Sequence, residues 1–435
     1  MATKLRACNL LCRQILITSF SLVAFLLSQP AFAGIAFGIY DARTLAMGGA
    51  SVASANNDNA QFYNSALLAF NDEIEERTQD SRFLFPVLVP QISSSALDIE
   101  DIARDDLAEA ASRAIDVFNA DSSAANAQAI VEITANLDAS LASIEGADLF
   151  ADVYLGLAIS EPGRFQGAGF FFGTRLLAGG AATVAASDRA LLAAYQEGLS
   201  FIASGGAQGA AHPELFDANG ALIDPGNNYD SAASAVGVSI TEVGVAMSRQ
   251  LQLFGQPIAA GFSFKALRVD TFEDAQRVVV DRIDVNRNSE SKTAVNFDLG
   301  FARDLGDKWR VGLAIKDLIP RNYETSLGTV VRLRPRPRIG ARYQAGRLQL
   351  SADVDLIRNR LLGSERPTQE AAIGGEWSLN RPVKFRAGYR QDLQFNRSGI
   401  ASVGVGTLWK RLAVDLAYAD GADARAGALQ FGVAF

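Results

Sequence analysis

From about Ser234 to the C-terminus, apolar and polar residues alternate in short runs. In the last run, "GALQFGVAF", Leu429, Phe431, Val433 and Phe435 share one face; Ala428, Gln430, Gly432 and Ala434 share the other. The same period of two runs through 412–418, 383–389, 348–356, 309–315 and 295–301. It marks half-buried antiparallel strands. Each run is about nine to eleven residues, the length a tilted strand needs to cross a bilayer. The connections also follow a rule. Tight turns at "GDK" (306–308), "AGR" (345–347), "NRP" (380–382) and "KR" (410–411) alternate with longer joins at 320–337, 358–368, 394–398 and 420–426. Outer-membrane barrels have short periplasmic turns and longer external loops. A soluble sandwich has no reason to keep such an alternation.

The two faces differ in chemistry. One is Leu, Val, Phe, Ile, Trp and Tyr. The other holds Asp298, Arg310, Lys316, Arg338, Arg342, Asp353, Asp355, Glu376, Lys384, Arg386, Arg390 and Asp415. An Arg or Lys against lipid at mid-membrane costs roughly 2–4 kcal/mol, so the charged face is expected to line a lumen. Upstream, 234–249, 257–270, 152–160 and 165–178 read as strands, the last two joined by "EPGR". The stretch 82–92 carries Pro86 and Pro90, which confine it to an edge or seam. The sum is about 14 strands, an even number that leaves both ends at the periplasmic face. The expected fold is all-β: a transmembrane antiparallel barrel over 81–435. Helical insertions are expected on its external side at about 97–146 and 186–230. In the second, "SDRALLAAYQEGLSFIA" reads as a helix with Ser187 as N-cap, followed by a Gly-rich stretch at 205–227.

Export explains the start of the chain. Lys4, Arg6 and Arg13 precede an apolar stretch from Ile15 to Leu27, and Ala31-Phe32-Ala33 gives the small-x-small pattern of a cleavage site. Residues 1–33 are read as a secretory signal peptide, too short in its apolar core for a membrane anchor. Both cysteines, Cys8 and Cys12, fall within it, so the expected mature chain has neither disulfide nor thiolate chemistry. The 40 basic residues become 37 against 48 acidic ones. An acidic exported chain is a poor partner for nucleic acid, and no nucleic-acid contact is expected.

Between the signal and the first strand lies "DARTLAMGGASVASANNDNAQFYNSALLAF". It is too polar to span. Gly48 and Gly49 suit a close backbone approach; Asn56, Asn57, Asp58 and Asn59 favour turns. The segment is expected to begin in the periplasm and fold into the barrel from below as a plug, or hatch, over 34–80, with "FYNSALLAF" as a short helix. Its sequence resembles the N-terminal signature of the FadL-like outer-membrane barrels, "AR…MGGA…A…D…A…Y.NPA.LA". That group spans fatty acid transporters, aromatic hydrocarbon porins and PorV-type secretion proteins. The ending "NSALLA", the following "RFLFPVLVPQIS" and the acidic "LDIEDIARDDL" are most similar to the TraF-like conjugal-transfer barrel family. One departure stands out: the family's Asn-Pro-Ala is Asn64-Ser65-Ala66 here. The resemblance implies Met47, Gly48, Gly49, Tyr63, Asn64 and Ala66 as positions that contact an apolar ligand or pack the hatch.

Candidate chemistry is otherwise sparse. Arg310, Arg342, Asp353, Asp355, Glu376, Arg386 and Arg390 lie on neighbouring strands, as an ion-pair lattice or as a polar conduit. Asp353 and Asp355 share a face by strand period, and basic neighbours would keep both ionised, a poor basis for acid catalysis. His212, the lone histidine, sits in the Gly-rich stretch. Asp217, Asn219, Asp224 and Asp230 lack EF-hand spacing. No catalytic residue, metal or cofactor is expected. The expected partners are outer-membrane lipid and envelope, secretion or conjugation proteins, or, as the alternative, a hydrophobic small molecule passing through a FadL-type channel.

Overall fold

The structure, a computed structural model, describes residues 34–70, 82–93, 107–145, 148–225, 229–253, 255–277, 289–360, 362, 366–380 and 383–434. The expected signal peptide (1–33), positions 71–80 of the expected hatch, the "LDIEDIARDD" stretch and Phe435 lie outside the described residues. In chain order the strands are β1 (Arg82–Ser93), β2 (Asp148–Glu161), β3 (Gln166–Thr183), β4 (Ala232–Leu253), β5 (Gln256–Arg277), β6 (Ser289–Leu305) and β7 (Trp309–Lys316). There follow β8 (Arg321–Glu324), β9 (Val330–Leu333), β10 (Arg336–Ala345), β11 (Leu348–Asp355), β12 (Asn359–Arg360) and β13 (Pro367–Thr368). The last are β14 (Glu370–Asn380), β15 (Val383–Asp392), β16 (Ile400–Trp409), β17 (Leu412–Gly421) and β18 (Ala424–Ala434). Fourteen of them close an antiparallel barrel; β8–β9 and β12–β13 are separate two-stranded hairpins.

β1 is the seam. It pairs with β18 on one side and β2 on the other, with a register shift between Leu84 and Val87 that accommodates Pro86. The outer face carries exposed apolar residues on strand after strand, among them Leu155, Phe172, Val245, Phe301, Ile373 and Leu416. A continuous apolar surface round a closed barrel is the signature of a lipid-facing wall. All three tryptophans, Trp309, Trp377 and Trp409, are exposed on this face beside short turns. They form one interfacial girdle.

Three expectations about the elements need correction. Strand length is uneven: β7 has 8 residues, whereas β4 and β5 have 22 each. The taller flank ran past the window in which period two was read. The join at 420–426 is a two-residue turn, Ala422–Asp423, because Asp420 pairs with Arg425 and Ala419 with Ala426. The helix expected to be capped by Ser187 starts at Ala186, and its N-cap, Ala185, makes no side-chain cap bond.

Both insertions leave the long-loop end of adjacent strands, β1–β2 and β3–β4. Their helices α1 (Leu107–Ala120), α2 (Ala124–Ile144) and α3 (Ala186–Ala203) therefore meet. Ile115 and Phe118, Ala127 and Ile130, and Tyr195 and Leu199 form one core. Asp188, buried on α3, accepts hydrogen bonds from the backbone N–H of Asp230 (2.9 Å) and Ser231 (2.7 Å), fixing the return into β4. At the same end, the β8–β9 hairpin folds inward. Tyr323, Val331 and Leu333 pack with Ile35 and with Leu177, Val238, Ile240, Leu267 and Val269 of the upper wall. It forms a lid.

Candidate functional site in the barrel lumen

The residues between Gly34 and Phe70 are almost wholly buried. Helix Ala42–Ala46 touches β1, β15, β16, β17 and β18, and the 3-10 turn Ser65–Ala69 touches β3 to β6. Tyr154 of β2 meets Tyr40 and Phe62 edge-on. Lys316 of β7, Arg338 of β10, Asp353 of β11 and Glu376 of β14 bond to the segment as well. A buried segment that touches strands all round a closed barrel lies in its lumen. Its direction corrects the expectation of entry from below. The Gly34 carbonyl accepts from the Arg360 N–H at the long-loop end, and the Leu68 carbonyl accepts from the Gly163 N–H at a short turn. The segment thus starts at the long-loop end and descends.

Local sequence explains its shape. Asp41 caps the first helix, accepting from Thr44 N–H at 3.0 Å, and accepts from the Tyr63 hydroxyl at 2.6 Å. Tyr63 in turn accepts from Tyr40 N–H at 2.7 Å, tying the two ends of the segment together. Gly48 and Gly49 have φ of +68° and +100°, a region that other residues enter at a cost. "FYNSALLAF" is not one helix: Ala60–Tyr63 is helical, Asn64 is extended, and Ser65–Ala69 is 3-10. Asn64 caps the 3-10 turn through Ala66 N–H (3.2 Å) and donates to the Val52 (2.8 Å) and Phe301 (3.1 Å) carbonyls. Ser65, standing where the family has proline, is the first residue of that turn. The preceding Asn64 (φ −145°, ψ 97°) already has the extended backbone that a following proline favours.

The wall meets this segment with charge at some levels and with glycine at others. Glu376 Oε2 accepts from Arg43 Nε at 2.8 Å and from Arg386 Nε at 2.7 Å, and Arg386 also pairs with Asp415. Asp353 Oδ2 accepts from the N–H groups of Ser51 (2.8 Å) and Val52 (2.9 Å). Arg338 pairs with Asp355 (2.5 Å) and Glu370 (3.1 Å) and stacks over Phe37. Arg310 pairs with Asp304 (2.7 Å) and lies over Phe70. Arg342 is the cross-strand neighbour of Arg310, and Arg390 donates to Gln91 at 2.9 Å. Cross-strand register thus pairs Arg338 with Asp355 and Glu376 with Arg386 directly. A second group joins Lys265 to Asp317 (2.6 Å) and Asp298 (3.0 Å), with Arg336 on Asp317.

Reasoning from sequence missed the wall glycines. A methyl group at Gly388 would overlap Gly48 N, and one at Gly374 would overlap the Met47 carbonyl. One at Gly312 would come within 2.6 Å of the Val52 carbonyl, and one at Gly261 would overlap Ala66 N. Each occupies an inward position between charged or small neighbours. Glycine on the inner face of a barrel strand was the available signal. Of the six positions expected in the hatch, Met47 and Gly48 lie against Gly374 and Gly388, Asn64 and Ala66 lie against Gly300 and Gly261, Gly49 lies against Ile39 and Ala372, and Tyr63 is held by Asp41.

One cavity lies between the segment and the wall near the long-loop end. Ile35, Ile39, Phe150 and Leu362 give it an apolar side; Arg175, Glu370 and Arg390 give it a charged one. The cavity, about 60 Å³, has room for about four to six waters at ~10–15 Å³ each. Outside the barrel, His212 contacts Glu214 (2.8 Å) and Glu197 (3.4 Å), which together raise its pKa, Glu214 most. Asp217 accepts from the N–H groups of Asn219 and Ala221 (both 2.8 Å), bonds that close a turn and lower its pKa. Among the described residues no group of three His, Cys, Asp or Glu side chains is placed to hold a metal ion.

A family model described as "F plasmid transfer operon, TraF, protein" matches residues 61–355. Among solved structures, the chain is similar to the Pseudomonas putida toluene transporter TodX, at 13% identity and TM-score 0.43, covering 92% of this chain and 98% of that one. It is also similar to a Pseudomonas aeruginosa FadL homologue, at 11% identity and TM-score 0.47, covering 92% and 99%. No curated protein sequence matches.

Proposed function

The chain belongs to the F plasmid transfer operon TraF protein family, and from that premise we propose that it is a non-enzymatic outer-membrane barrel serving conjugal transfer through its exposed surfaces. The barrel is a closed scaffold in this reading. Short turns and the tryptophan girdle face the periplasm; the lid and the three-helix unit face outward, where envelope or partner-cell proteins are met. The observation that carries the reading is the filled lumen. The segment 34–70 is held by wall carboxylates and arginines on opposite sides, and glycines let its backbone lie against the strands. A conduit would need those contacts broken together. The reading also leaves little room for catalysis, since His212 is held between two carboxylates and Asp353 is spent on two backbone N–H groups. Deleting the gene and measuring plasmid transfer frequency between cells tests it. A drop restored by the wild-type gene is expected, and unchanged transfer sinks the proposal.

The amphipathic cavity beside Ile35 favours one second reading, a FadL-type channel for a hydrophobic small molecule. Native mass spectrometry in mild detergent separates the two. A stoichiometric fatty acid or hydrocarbon supports the channel, with Met47 and Tyr63 as the residues to alter. A clean apo mass supports the scaffold.

A further inference from the structure

The lid hairpin has two unlike faces. Tyr323, Val331 and Leu333 point into the barrel, and Asn322, Glu324, Val330 and Arg332 alternate on the other side. Arg332 pairs across the hairpin with Asn322, and the Arg334 guanidinium donates to the Asn322 Oδ1 at 2.6 Å. Arg334 thus reaches the amide of the residue that stands opposite Arg332 in the hairpin. Among the described residues Arg334 otherwise bonds only to the carbonyls of Arg321 and Leu333. Neither Arg332 nor Arg334 has a carboxylate within ion-pair distance among the described residues. The contrast with the next arginines of the same run is sharp. Arg336 pairs with Asp317, and Arg338 with Asp355 and Glu370. Partial burial and the Arg332 charge together hold the Arg334 guanidinium below its ordinary pKa.

A third positive charge belongs here if export removes residues 1–33. Gly34 packs on the backbone of Arg332 and Arg334 so closely that a methyl group would overlap the Arg332 carbonyl oxygen. Cleavage after Ala33 would place the new ammonium at this hairpin. Two guanidinium groups that have no carboxylate at ion-pair distance, with an ammonium beside them, repel one another. An anion that accepts several charge-assisted hydrogen bonds relieves that repulsion, and a phosphate offers oxygens in the geometry guanidinium groups match.

We propose that the outward face of the lid, with Arg332 and Arg334 and with the Gly34 amino group beside their backbone, is a binding site for a phosphate-bearing anion. The anion could be a free phosphate or the phosphorylated headgroup of a surface glycolipid. Binding would seat the lid on the Ile35 cluster below it.

The test uses the full mature chain in phosphatidylcholine nanodiscs. One arm titrates inorganic pyrophosphate by calorimetry; the other scores retention of diphosphorylated lipid A by native mass spectrometry. Arg332→Gln/Arg334→Gln should weaken binding at least about tenfold, the scale of losing one charge-assisted hydrogen bond. Arg425→Gln, which breaks an exposed pair with Asp420, should leave it unchanged. Heat-shifted electrophoretic migration checks that each variant is folded, and the single variant Arg334→Gln replaces the double one where it is not. Binding of pyrophosphate that the lid variant loses supports a soluble phosphate ligand. Binding of lipid A alone, again lost in the variant, supports a headgroup. Binding of neither probe, or equal losses in the lid and control variants, overturns the site.

Discussion

Removing the Glu376 carboxylate should loosen the lumenal segment without dismantling the barrel. Glu376 is the carboxylate that pairs with Arg43, whose side chain is 1% exposed, and Arg43 also donates to the Ser54 carbonyl at 2.8 Å. In Glu376→Ala, Arg386 keeps Asp415, but Arg43 is left buried without a counter-ion. Breaking a buried pair by removing one partner costs about 3–5 kcal/mol. That cost falls on the segment rather than on the strand ladders, so it should appear as local opening. Ser54→Cys supplies the probe. Ser54 is buried and the exchange conserves shape, and both native cysteines lie in residues 1–33. A loss of about 3 kcal/mol raises the open fraction, and hence the maleimide labelling rate, by about a hundredfold. Lys384→Ala serves as the control: its side chain is 33% exposed and 3.6 Å from Glu376, so its contribution is discounted by solvent to a few-fold. Equal labelling rates in Glu376→Ala and Lys384→Ala would refute the claim that this carboxylate clamps the segment.

Other consequences are independent of that clamp. Gly388→Ala drives a methyl group into the backbone of Gly48 and should destabilise the segment by about 1–3 kcal/mol, seen as faster labelling of the same Ser54→Cys probe; Gly427→Ala, with open space, should not. Ser65→Pro should be neutral or stabilising by about 0.4–1 kcal/mol, since the backbone already suits proline, and denaturant midpoints in detergent would show it. The His212 pairs raise its folded pKa above the unfolded 6.5. Their stabilisation is therefore complete below about pH 6.5 and fades as pH climbs through the higher folded value. Protection factors across 205–216, corrected for the intrinsic rise of amide exchange with pH, should fall over that rise, and His212→Ala should abolish the fall.

How much of this was legible depended on whether a feature is local. Alternation along 295–301 or 412–418 needs only neighbouring residues, so the strands, the turns and the inward charges could be read directly. Opposite charge on the neighbouring strands that carry Glu376 and Arg386 was visible in the same pattern, but the register that pairs the two was not. Features set by the far side of the barrel could not be read. The segment runs downward because Gly34 meets Arg332 and Arg360, residues about 300 positions away in the chain. The glycines at 312, 374 and 388 stand at inward positions, but only the packed segment shows what they make room for. The two insertions looked separate because the shared core of Ile115, Ile130 and Tyr195 forms only once β1 to β4 lie side by side.

Electrical recording tests the sealed lumen most directly. The mature protein is inserted singly into planar bilayers in molar salt, and current is followed at moderate voltage. The account predicts a closed baseline, with steps appearing when Glu376→Ala frees the segment. A steady open conductance from the unaltered protein would contradict it.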